Sequence, residues 1–84
     1  MRRTADVSRP GSAFRRVMIY DPGDGGGVFL FLFRTLDDSP CEADHWYESV
    51  TDVERDAEEE FGIRADDWRT IPDPVPGRPH DLFA

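Results

Sequence analysis

The chain has 84 residues, 38% of them hydrophobic, and a formal net charge of −8. That length holds one small domain with a limited core, and the single cysteine, Cys41, excludes an intrachain disulfide. Charge is uneven: residues 1–16 carry a net +4 and residues 37–67 a net −11, so the acidic body disfavours nucleic acid, whose phosphates require clustered cations.

Taken in chain order, residues 1–12 read as a flexible basic arm, with Arg2, Arg3 and Arg9 among Ser, Pro and Gly and no hydrophobic period. The domain proper is expected over residues 13–72. A first strand is predicted over Phe14 to Tyr20, placing Val17 and Ile19 on one face and Met18 and Tyr20 on the other. Asp21-Pro22-Gly23-Asp24-Gly25-Gly26-Gly27 is a turn signal, and the second strand of a hairpin follows from Val28 to about Thr35. Asp37-Asp38-Ser39-Pro40 is a further turn, and His45 to Glu48 a short third strand.

A helix is predicted next. Ser49 is its N-cap, with Asp52 three residues on, and Val50, Val53, Ala57 and Phe61 recur at helical spacing. Gly62 is placed to end it in a left-handed cap. Asp52, Glu54, Asp56, Glu58, Glu59 and Glu60 occupy its other positions, the last three opposing the helix dipole. A turn at Asp66-Asp67 leads to a last strand, Trp68 to Ile71. Residues 73–84 carry Pro74, Pro76 and Pro79 and read as a proline-rich extended tail ending in Leu82 and Phe83.

The fold class is therefore α+β: a small antiparallel sheet of three or four strands, in the order β-β-β-α-β, with one acidic amphipathic helix on one face. Its central ribbon poses a packing problem. Val28-Phe29-Leu30-Phe31-Leu32-Phe33 is apolar at every position, whereas a half-exposed strand alternates. The helix is expected to cover Val28, Leu30 and Leu32. The phenylalanine face is then buried by self-association, by the tail, or by both. Trp46 and Trp68 are expected to fill the core.

The strings His45-Trp46-Tyr47-Glu48-Ser49, Ala57-Glu58-Glu59-Glu60-Phe61-Gly62-Ile63 and Asp67-Trp68 with Ile71-Pro72-Asp73-Pro74 resemble those of a group of short uncharacterised bacterial proteins. That group shares W-[YF]-E-S, E-x-[FY]-G-[IV] and D-W-x-x-I-P motifs. The similarity spans roughly residues 14–81, leaving out the basic arm. The shared residues are capping and packing residues, so the resemblance implies an architecture and carries no catalytic residue or cofactor.

Chemical motifs are weak. The glycine run leads into a strand, whereas a phosphate loop must open a helix. Asp21 and Asp24 do not fit a calcium loop. Cys41, Asp44, His45 and His80 lack the paired short spacings of a transition-metal site. Cys41 and His45 are a conceivable nucleophile and base, but nothing supplies an oxyanion site. No catalytic residue, cofactor or metal is assigned. The run from Val28 to Phe33 is too short to cross a bilayer, and a cytoplasmic bacterial protein that does not enter a membrane is expected.

The functional expectation is a small non-catalytic binding or regulatory module, a homodimer joined through Tyr20, Phe29, Phe31, Phe33, Leu82 and Phe83. Large apolar patches mark such surfaces. One alternative is an acidic inhibitor or immunity-type partner of a basic protein, binding through the helix face from Asp52 to Glu60. Another is a small enzyme or metal-binding protein.

Overall fold

The structure, a computed structural model, describes residues 1–83; Ala84, the end of the predicted tail, lies outside the described residues. Five strands and one α-helix occur in the order β1 (Arg2–Asp6), β2 (Arg16–Tyr20), β3 (Val28–Phe33), β4 (Ala43–Tyr47), α1 (Val50–Phe61), β5 (Arg69–Ile71). The sheet is antiparallel throughout, in the order β4-β3-β2-β1-β5. The first four strands form a meander. Helix α1 then carries the chain back to the opposite edge, where β5 pairs with β1. The α+β class, the helix and the predicted strands are all present, with strand ends shifted by one or two residues; β4 begins at Ala43, two residues before the predicted start.

The fifth strand corrects the sequence reading. Residues 2–6 form no free arm: β1 lies between β2 and β5, with Arg2 opposite Tyr20 and Thr4 opposite Met18. Only Ala5 and Val7 hint at alternation there, and both are buried against the helix side. Arg2, at the start of the strand, faces the other way and is 2% exposed.

Helix α1 forms where its caps place it. The Ser49 side chain accepts the Asp52 amide, and Gly62 takes φ 70°. The Gly62 and Ile63 amides then donate to the Glu58 and Ala57 carbonyls at 3.0 and 3.3 Å, a left-handed C-cap with Ile63 folded back. The Asp52 carboxylate pairs instead with Arg55 at 2.6 Å. The basic segment also answers the unfavourable acids at the helix end: Arg9 Nη1 donates to the Glu59 and Glu60 carbonyls at 3.0 and 2.9 Å, placing a cation where the dipole favours one.

The larger core layer lies between sheet and helix. Val53, Ala57 and Phe61 pack with Val17, Ile19, Val28, Leu30 and Leu32, and Trp68 borders them. The helix thus covers the aliphatic side of β3, the face expected to interlock best with its own apolar side chains. The second layer, on the opposite face, is built on Met18, Phe31 and Phe33.

Candidate functional site

Cross-strand register defines the second face. Trp46, Phe29, Tyr20, Arg2 and Ile71 form one row across all five strands, and Asp44, Phe31, Met18, Thr4 and Arg69 the next. Because alternate residues share a face, the phenylalanines of β3 gather with Tyr20 into one aromatic surface. Phe29, Phe31 and Tyr20 lie 6.2–6.5 Å apart with near-parallel rings.

The chain's own C-terminal segment covers much of this surface. Phe83 stacks on Phe33 at 6.1 Å, and the His80 ring lies tilted against Tyr20 at 4.5 Å. The Asp81 carboxylate accepts the Cys41 amide at 2.7 Å, and the Phe83 amide donates to Asp38 at 2.8 Å. Arg2 is the centre of the attachment. Its Nε donates to the Pro72 carbonyl at 2.8 Å, and its Nη1 to the carbonyls of His80 and Leu82 at 3.0 and 2.5 Å. A buried guanidinium is tolerated only when its donors are satisfied, and here backbone carbonyls satisfy it. Arg16 closes the far end, its guanidinium 4.2 Å from the Phe83 ring centroid and 5.8 Å from that of Phe33.

Of the residues predicted as contacts, Phe31 and Phe33 are therefore buried within the chain, at 9% and 1% exposure. Leu82 and Phe83 belong to the segment that covers this face. Phe29 is half-buried at the uncovered end, and Tyr20, half-buried beside it, lies under the His80 ring. Beside them stands Trp46, 54% exposed, against the expectation that it fills the core. Its indole Nε1–H donates to the Gly26 carbonyl at 2.9 Å. The ring also lies over Gly27, where a Cβ would meet the indole at 2.3–2.5 Å. Trp46 is thus fixed on the glycine loop. The alternation of β4 carried the available signal: Asp44 and Trp46 share a face, and Ala43, His45 and Tyr47 the other.

The glycine loop has an internal explanation. The carboxylates of Asp21 and Asp24 accept the amides of Gly23 and Gly26, each at 2.8 Å, which makes them turn caps. The candidate ligands scatter. Cys41 and His80 lie on the tail side, while His45 shares the helix-side row of β4 opposite Leu30. Among the described residues, no three His, Cys, Asp or Glu side chains gather as metal ligands. The Cys41 thiol is pushed up to about 11, first by burial and then by the hydrogen bond and charge of Asp81. It is a protonated thiol at neutral pH, a poor nucleophile. His80 borders a shallow cleft of about 220 Å³ with Tyr20, Asp21, Pro22 and Pro74. No helix among the described residues is long and apolar enough to cross a membrane.

Comparison with known protein families, with curated proteins and with solved structures gives no match to this chain. The functional reading therefore rests on the geometry alone.

Proposed function

We propose that the protein is a small non-catalytic binding module that works as a homodimer, joined through Trp46 and Phe29 at the open end of the aromatic face, with Tyr20 at the margin. The exposure of Trp46 carries this reading. Tryptophan anchors interfaces more often than most residues, and this indole is held in place by a loop hydrogen bond, so little freedom is left to lose on binding. It stands on β4, an edge strand with a neighbour on one side only, and edges invite pairing. The local sequence is self-complementary: two copies of β4 paired antiparallel about His45 set Trp46 opposite Asp44 and Ala43 opposite Tyr47. The acidic residues of α1 disfavour a dimer joined through the helices.

Light scattering over a concentration series is the test. The wild-type chain is expected at twice its sequence mass, and Trp46→Ala at the monomer mass with unchanged circular dichroism. A monomeric wild type, or a variant that keeps the dimer mass, overturns the reading.

A second reading has its own observation. Glu58, Glu59 and Glu60 are exposed side by side at the end of α1, as a surface for a basic protein would be. Binding through them is expected to weaken steeply with salt, whereas the Trp46 dimer is expected to persist.

A further inference from the structure

Residues 80–83 lie on the aromatic face, and the connection that brings them there is held at its ends, by Arg2 and by the Met1 ammonium on Asp73 at 3.0 Å, with an exposed middle. Arg2 grips both ends of that connection, the Pro72 carbonyl at one and the His80 carbonyl at the other. Between them the chain folds back through a turn closed by the Arg78 amide on the Val75 carbonyl at 3.0 Å, with Gly77 at φ 85°. Residues 75–80 are all exposed, Val75 at 63%. Prolines at 74, 76 and 79 bias this stretch toward an extended form of roughly 3.1 Å per residue. Open, its seven residues reach about 22 Å, far more than the span between its two ends, which meet at one Arg2 side chain.

The groove contacts are also indifferent to which chain supplies them. Arg2 binds three backbone carbonyls. Phe83 rests against Phe33 and Arg16, and Asp81 on the Cys41 amide. The bonds to the His80 and Leu82 carbonyls, the Phe83 packing and the Asp81 contact are re-made when the segment comes from another molecule, while the Pro72 bond stays within its own chain; this is the condition for exchange of an identical element between protomers.

We propose that the groove is an exchange site whose second occupant is the 80–83 segment of another copy of this chain, so that two molecules cross-clasp by their tails. Exchange goes beyond the Trp46 contact and does not depend on it. The intramolecular segment competes at the high effective concentration set by its linker. Exchange therefore grows with protein concentration and with anything that opens the Val75–Arg78 turn.

One disulfide experiment reads it. Wild-type chain, whose only cysteine is Cys41, is mixed with the full-length double variant Cys41→Ser/Asp81→Cys and oxidised mildly. The Asp81 carboxylate sits 2.7 Å from the Cys41 amide nitrogen, so a bond between the two chains forms when the tail of one lies in the groove of the other. A Cys41→Ser/Thr51→Cys chain, with its thiol on the exposed face of α1, measures random collision. Covalent heterodimer above that background is expected, rising with concentration, lost with Phe83→Ala in the tail donor and increased by Gly77→Ala. A yield equal to the collision control at every concentration overturns the proposal. The two readings are separated by light scattering in a Phe83→Ala background, where tail exchange is lost and any dimer mass that Trp46→Ala then abolishes belongs to the Trp46 contact.

Discussion

At the scale of single residues, the chain places unusual side chains where a neighbour makes them necessary. Arg2 is almost wholly buried on a sheet face, and its guanidinium is satisfied by the C-terminal segment lying over it. Gly27 is glycine for two reasons at once: φ is 99°, and the Trp46 indole lies where a Cβ would be. These reasons separate in a double-mutant cycle. Gly27→Ala is expected to cost about 1–2 kcal/mol from the left-handed backbone alone, plus whatever is lost by displacing the indole. In a Trp46→Ala background only the backbone part remains. Urea denaturation of the four proteins measures the difference, and equal costs in both backgrounds show that the indole does not select the glycine. The exposed ring tolerates truncation, so both backgrounds are expected to fold.

At the scale of elements, α1 is stabilised from both ends by groups outside its apolar stripe. Ser49→Ala removes the acceptor for the Asp52 amide and is expected to cost about 1 kcal/mol, read as a lower urea midpoint with an unchanged slope. No loss of stability on that substitution would mean that solvent serves the amide equally well. The same helix was fully legible in the sequence, because cap, period and stop signal agree. The β2–β3 hairpin and the aliphatic face of β3 were legible too, through alternation. The first strand was not. Arg2-Arg3-Thr4-Ala5-Asp6 shows no apolar period, since the side chain it buries on the second face is an arginine and its acceptors are carbonyls some 70 to 80 residues away. Nothing local encodes a partner so distant. Trp46 misled for a related reason: large aromatics are usually interior, and its exposure follows from β4 lying at the edge, a property of the topology.

At the scale of the molecule, the sheet is enclosed on two sides by unlike means, and a titratable group reports on each. Toward the helix, burial first and then Asp56 raise the Tyr47 hydroxyl from 10 to about 12. Toward the tail, burial and Asp81 raise the Cys41 thiol from 9.0 to about 11. Each folded value lies above the unfolded one, so the folded state holds its proton more tightly. The linked stability is complete below the unfolded value and disappears as pH climbs to the folded one. Stability is therefore expected to be level through neutral pH with respect to these groups. It then falls in two overlapping windows, from 9.0 to about 11 for Cys41 and from 10 to about 12 for Tyr47. Denaturation of Cys41→Ser across alkaline pH should lack the first window, and of Tyr47→Phe the second. The thiol also reads the tail directly. Asp81→Asn removes the charge that holds the Cys41 proton, and Phe83→Ala loosens the segment that buries it, so ultraviolet titration of the thiolate should move toward 9.0 in both. A Cys41 titration unmoved by either change would mean that the tail does not rest on the sheet in solution, and the aromatic face would then lie open along its whole length.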